Sequence, residues 1–251
     1  MSHHIVEVRD LFFAYPDGTE ALKGISFRIE HGVAVALVGA NGAGKSTLLL
    51  HLNGYLPTTR GEVRIGDSAL TRETAPMVRR AVGMVFQDPD DQLFMPTVAE
   101  DVAFGPLNAG LPADQVEDRV AMALERVGMT HVRERPPYRL SAGEKRAVAI
   151  ATVLAMTPDI LVMDEPSSNL DPRNRRRLIE LLRSFAHTRI IATHDLELVV
   201  EVCSHVIVMD GGAIVAQGPT RAILDDEELM LAHGLERPHS LRHHHPHPPS
   251  A

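Results

Sequence analysis

The chain has 251 residues, a net charge of -8 and a single cysteine, Cys203. That length suits one large domain or two small ones with a substantial core. The acidic balance argues against a dedicated nucleic-acid binder, a lone cysteine rules out an internal disulfide and suits a reducing compartment, and no apolar run reaches the ~20 residues that span a bilayer. The opening MSHHIVEVRD lacks the apolar centre of a signal peptide, so any membrane role is expected to come through a partner.

Residues 4–15 (HIVEVRDLFFAY) begin with strand-like alternation and end at the turn signal Pro16-Asp17-Gly18; residues 25–30 (ISFRIE) alternate again. The first thirty residues read as antiparallel strands lying beside the site that follows. Tyr15 ends a strand just before a turn, where it is either an ordinary half-buried strand tyrosine or a face on which a base stacks. Residues 33–38 (VAVALV) form a short β-branched apolar run, the mark of a buried strand, and lead into residues 39–47, GANGAGKST. That stretch fits the phosphate-binding pattern G-x-x-x-x-G-K-[ST], with Gly39, Gly44, Lys45 and Ser46 in the fixed positions. Glycines let the backbone curl with N–H groups inward, and the helix that follows adds partial positive charge. Lys45 is expected to reach the β- and γ-phosphates of ATP and Ser46 to ligate Mg²⁺, with Asn41, Gly42 and Thr47 completing the nucleotide-contacting loop.

Residues 61–65 and 82–86 read as strands, followed by Gln87 and the loop DPDDQLFMP. Thr97 and Glu100 form a T-x-x-E capping box opening a short helix, which Gly105-Pro106 is expected to end. Residues 112–127 carry Val116, Val120, Ala123, Leu124 and Val127 on one helical face. Residues 88–157 are therefore expected to be a mostly helical insertion between two core strands. Ser141-Ala142-Gly143-Glu144 is a second capping box, S-x-x-E, starting an Ala/Val/Ile-rich helix. Residues 160–163 (ILVM) are a buried strand ending in Asp164-Glu165-Pro166; Asp171-Pro172 supplies an N-cap with proline in the first helical position. Strand 189–192 ends at Thr193-His194-Asp195, and a helix and two more strands follow. Strands alternating with helices imply an α/β fold with a mainly parallel sheet. Arg173, Arg175, Arg176 and Arg177 read as a solvated helix face. From Glu236 onward Pro, His, Ser and Arg dominate, so residues 1–235 are expected to form the domain and residues 236–251 a disordered tail. Its His239, His243, His244, His245 and His247 are potential ligands for Ni²⁺, Co²⁺ or Zn²⁺.

Beside a phosphate loop, an acidic pair ending a neighbouring strand has a direct use. Asp164 can support Mg²⁺, and Glu165 can polarise the attacking water. At this point the chain resembles the ATP-binding-cassette (ABC) ATPases. The segment LSAGE at residues 140–144 is similar to their signature LSGGQ; Gln87 resembles the Q-loop, Ser168-Asn169-Leu170-Asp171 the D-loop, His194 the switch histidine, and Tyr15 the aromatic that stacks on adenine. The resemblance implies a P-loop cassette with a mainly parallel core sheet, an antiparallel β subdomain and an inserted helical subdomain. It also implies a composite site, in which Ser141 and Gly143 of one protomer serve ATP held by another, and it counts Asp171 of the D-loop among the ATP-binding residues. Gln87 would sense Mg²⁺ and the attacking water, and His194 the γ-phosphate. Ala142 and Glu144 depart from the signature pattern, and neither is expected to abolish turnover.

The finer resemblance is to energy-coupling-factor ATPases, especially those of cobalt and nickel importers, through YPDGTEALKGISF, VFQDPDDQLFMPTVAEDVAFGPLNAGL and LSAGEKRAVAIATVLAM. It implies a peripheral subunit on the cytoplasmic face of the membrane. Its partners would be a second copy or a paralogous ATPase, an integral membrane coupling protein and a substrate-capture component, and no nucleic acid. In that family the segment after Gln87 grips the membrane protein; here Leu93, Phe94, Met95, Val98, Val102 and Phe104 are candidates for that surface or for core. The alternatives are an importer ATPase for another solute, a soluble mechanoenzyme of DNA repair or translation, and a regulatory subunit without turnover.

Overall fold

The computed structural model describes residues 5–242. In chain order the elements begin β1 (Val6–Ala14), β2 (Glu20–Ile29), β3 (Ala34–Val38), α1 (Lys45–Leu52), β4 (Arg60–Ile65), β5 (Ser68–Ala69), α2 (Ala75–Ala81) and β6 (Val82–Val85). Three longer helices follow, α3 (Val98–Asn108), α4 (Ala113–Val127) and α5 (Ala142–Leu154). The chain then alternates through β7 (Ile160–Asp164), α6 (Pro172–Ser184), β8 (Thr188–Ala192), α7 (Leu196–Val202), β9 (His205–Asp210) and β10 (Ala213–Pro219). It closes with α8 (Thr220–Leu224), α9 (Glu227–Ala232) and α10 (His239–Arg242).

Two sheets result. The larger runs β10-β9-β3-β8-β7-β6, parallel throughout except for β10 against β9. The smaller, β2-β1-β4-β5, is antiparallel. Successive residues of β3 point to opposite faces: Val35 and Leu37 pack with α1 and the antiparallel sheet, Ala36 and Val38 with the helices behind. Ile160 and Val162 of β7 alternate with Leu161 and Met163 in the same way. Burial on both faces is why these strands read as unbroken apolar runs. Helices α3, α4 and α5 pack on one another as the expected helical insertion. No helix among the described residues is long and apolar enough to cross a membrane.

Three expectations are corrected. Helix α3 does not end at Gly105-Pro106 but runs through it to Asn108. Val98, Val102 and Pro106 are buried on one face, and that burial outweighs the single backbone donor proline lacks. Gly105 serves close packing, since a Cβ there would meet Met156 Sδ at 2.6 Å. Second, ordered structure continues past Glu236. Leu241 is buried, Arg237 Nη2 donates to Leu241 O at 2.7 Å, and Ser240 N donates to Glu197 Oε1 at 3.2 Å. Two widely spaced leucines, Leu235 and Leu241, anchor this strap, too sparsely to show as periodicity. Third, Arg175 is not part of a solvated face; it binds Asp195 and Glu201 of the neighbouring segment. His243, His244, His245 and His247 lie outside the described residues, and His239 opens α10.

Candidate active site

Strand β3 delivers the chain into the glycine-rich loop, and α1 leaves it. A Cβ on Gly39 would sit 2.1 Å from Met209 O, and one on Gly44 2.6 Å from Ala21 O, at a φ of +98° that side chains resist. The loop can be this tight only with glycine there. Gly44 is the N-cap of α1 and offers no side chain, so the first N–H groups of the helix stay open to an anion. Lys45 Nζ spans the loop, donating to Gly39 O at 2.8 Å and Ala40 O at 3.1 Å. Burial lowers its pKa, opposed by Glu165 and Asp164. Asn41 and Gly42 are exposed at the crown. Thr47 is buried, sharing a 2.9 Å hydrogen bond with the Tyr15 hydroxyl, whose ring meets Phe13 edge-on.

The carboxyl ends of β7 and β8 bring the acidic pair to the same rim. Asp164 is buried; burial raises its pKa, against the hydrogen bond from Ser46 and with the help of neighbouring Glu165. Its Oδ1 has no partner. An orphaned buried carboxylate oxygen beside an exposed serine hydroxyl is a donor set that fits Mg²⁺. Gln87 and Asp164 share a cleft of about 620 Å³ with Ser46, Arg146, Ser168 and Asn169.

Glu165 sits in a left-handed conformation, φ +47°, with its N–H bound to Ala192 O at 2.8 Å. Strain of this kind costs about 1–3 kcal/mol and gathers where geometry is over-determined. The carboxylate is buried, and its Oε2 accepts from Thr193 Oγ1 at 3.2 Å and His194 N at 3.3 Å, with the His194 ring nitrogen Nδ1 2.8 Å away as an ion-pair contact. The His194 side chain itself is 68% exposed, so its ring stands at the edge of the site. Arg175 holds Asp195, the N-cap of α7, just behind this histidine.

The signature turn lies at the start of α5. Its capping box is complete, with Ser141 and Glu144 bonded reciprocally. Gly143 packs against Asn174 so closely that a Cβ would meet Nδ2 at 2.5 Å. Asp171 caps α6, accepting from Arg173 N, Asn174 N and Asn174 Nδ2, so both of its carboxylate oxygens are engaged within its own helix start. The structure thus gathers Lys45, Ser46, Gln87, Asp164, Glu165 and His194 toward one rim, while among the described residues the Ser141 side chain bonds within its own turn.

Sequence reading missed several supports. Arg146, buried in α5, donates to Phe86 O at 2.7 Å and Gln87 O at 2.5 Å. Gln92 accepts from Phe86 N and donates to Ala149 O and Thr152 Oγ1 of α5. A lone arginine inside an apolar helix was the visible signal for the first; Gln92 and Thr193 carried none.

The model of the ABC transporter family matches residues 22–168. A putative ABC transporter ATP-binding protein of Geobacter sulfurreducens is 66% identical over 96% of this chain and 97% of its own length. The energy-coupling factor transporter ATP-binding protein EcfA of Methanothermobacter thermautotrophicus is 48% identical over 93% of this chain and 77% of its own length. Among solved structures, cbiO1 from Clostridium perfringens, part of the ABC transporter complex cbiONQ, is 39% identical with a TM-score of 0.80, covering 92% of this chain and 94% of that one. The ATP-binding cassette MJ0796, solved as a dimer bound to ADP and Pi, is 26% identical with a TM-score of 0.78, covering 86% and 98%. The chain belongs to the ABC transporter family, as one of its ATP-hydrolysing cassettes.

Proposed function

We propose that this cassette powers an energy-coupling-factor importer for a divalent transition metal, cobalt or nickel. In this reading it works as a dimer beneath an integral membrane coupling protein, on the cytoplasmic face. The names of EcfA and of the cbiONQ component support the importer class.

The observation that carries the reading is a split in the segment behind Gln87. Leu93, Val98 and Val102 are core, whereas Phe94 is 63% and Phe104 42% exposed, stacked edge-to-face at 4.9 Å, with Leu107 also exposed beside them in α3. Buried Asp101 pins the loop by accepting from Phe94 N and Met95 N, each at 3.0 Å. A rigid aromatic pair facing water suits a membrane partner's helix.

For the chemistry, the loop N–H groups and Lys45 hold the phosphates, Glu165 takes the proton of the attacking water, and His194 keeps that carboxylate oriented through its backbone N–H while a protonated ring nitrogen donates to the γ-phosphate. Ser46 and Asp164, with Gln87 nearby, would hold Mg²⁺, which supplies charge neutralisation when bound. Ser141 and Gly143 face the ATP of a second protomer, and Tyr15 the adenine.

The test is capture and transport. The tagged chain should bring down an integral membrane protein, and a Phe94→Ser/Phe104→Ser variant should lose it while keeping basal ATPase. Cells lacking the gene should lose uptake of labelled Co²⁺ or Ni²⁺; loss of another solute's uptake instead would overturn the metal assignment.

A further inference from the structure

The signature turn carries a carboxylate where the family pattern has a neutral amide, and that carboxylate is occupied. Glu144 Oε2 accepts from Ser141 N and from Ser141 Oγ, both at 2.8 Å, and Glu144 N donates back to Ser141 Oγ at 3.3 Å. A carboxylate only accepts, and a serine hydroxyl has one proton. The Ser141 proton is therefore committed to Glu144, in a charge-assisted bond roughly twice as strong as a neutral one. A γ-phosphate presented by a second protomer would need that same proton, so the two uses exclude each other.

The surroundings leave the carboxylate charged. The Ser141 N–H and hydroxyl hold its pKa below the usual range, with help from Arg135 and His131. His131 Nε2 stands 3.9 Å from Glu144 Oε1, on a ring that is 60% exposed. Lys145, the next residue, is drawn away to Asp90 at 2.6 Å. Ser141 is thus locked to an anion at the end of α5 where an anionic ligand should arrive.

We infer that Glu144 is a positioning residue that withholds the Ser141 hydroxyl in the free protomer and raises the ATP concentration at which two protomers close. This rests on the reading that Ser141 serves a second protomer's ATP. Glutamine at this position would still complete the capping box. It would hold Ser141 through a neutral oxygen, remove the charge and add an amide donor.

The experiment measures ATP-driven dimerisation of the full chain by light scattering, in a Glu165→Gln background that retains nucleotide. Glu144→Gln should lower the half-maximal ATP concentration about 3- to 10-fold at ~0.1 M salt, the range expected for one charge near a multiply charged ligand. The gap should close to less than about 2-fold at ~1 M salt, where the screening length falls from about 10 Å to about 3 Å. A purely structural role for Glu144 gives no such convergence. Glu144→Gln without a low-salt shift, or with a shift that salt leaves unchanged, overturns the inference. Ser141→Ala is the control. If it raises the half-maximal ATP concentration while Glu144→Gln has no effect, the latch alone is wrong; if it changes nothing, the composite site falls and the latch with it.

Discussion

Gly143→Ala puts a methyl 2.5 Å from Asn174 Nδ2 and 3.2 Å from its Cγ. The first separation cannot stand, and the second is tight. Asn174 is short and tied by a 2.6 Å bond to Asp171 Oδ2, so either α5 backs away from α6 or Asn174 swings out and gives up that bond. Overpacking costs about 1–3 kcal/mol, and a lost hydrogen bond about 0.5–1.5 kcal/mol. Alanine returns at most about 1 kcal/mol of helix propensity, and less in a first turn. The balance is a loss of about 1–2 kcal/mol, or about 2–8 °C in Tm for a chain of this size. Asn174→Ala alone should cost only its hydrogen bond, about 0.5–1.5 kcal/mol. It also clears the space the methyl needs, so the double variant should be no less stable than Asn174→Ala. Thermal unfolding of the four proteins gives the coupling energy, expected at about 1 kcal/mol or more in favour of the pair. Additive losses, or a Gly143→Ala protein as stable as the parent, would refute the idea that glycine is required there by contact with α6.

Glu165→Gln should keep ATP binding and cut turnover by about 10²-fold or more, since the carboxylate is asked to take a proton; near-parent hydrolysis in a phosphate-release assay removes it from that role. His51 is fully buried, with Nδ1 on Thr47 O at 2.8 Å and Nε2 unpartnered. Burial depresses its pKa below 6.5, against the pull of the Thr47 carbonyl. A depressed folded-state pKa gives stability that is present above the unfolded value and lost as pH falls below it. The Tm should therefore drop between about pH 7 and pH 5, by up to about 1.4 kcal/mol of stability per pH unit from this group, and His51→Gln should flatten the slope relative to the parent. Deleting residues 243–251 should leave basal ATPase unchanged and remove Ni²⁺ binding, with Ni²⁺ binding more tightly than Co²⁺ in the full chain. Equal calorimetric heats for both proteins would make the tail histidines bystanders.

What was legible in the sequence follows from how directly each feature is dictated locally. The phosphate loop is fixed by glycines no other residue can replace, and β3, β7 and β8 by burial on both faces. The caps at Thr97, Ser141 and Asp171 lie where local hydrogen bonding put them. Tertiary contact decided the rest. Strand β2 starts at Glu20 although Lys23 and Gly24 break its alternation, because its partner β1 accommodates the irregularity with register shifts. Helix α2 buries one residue, Val78, with only its terminal alanines half-buried, too little for a periodic signal. In the site, the chemistry-bearing residues stood at strand ends and could be named. The groups that aim them, Arg146, Gln92, Thr193 and Asn174, act across sequence gaps that no local pattern records.

The stitching around Phe86 and Gln87 has a mechanical meaning. The end of β6 is fastened to α5 at both its donor and acceptor atoms, Phe86 N through Gln92 and the Phe86 and Gln87 carbonyls through Arg146. Gln87 therefore travels with the helical arm as much as with the sheet. A tug on Phe94 in the loop that follows, or on Phe104 of α3 stacked against it, would be delivered to the amide of Gln87 with little slack, as through a short stiff lever. Softening that lever, by Arg146→Met for instance, would uncouple the arm from the cleft while leaving the phosphate loop itself untouched.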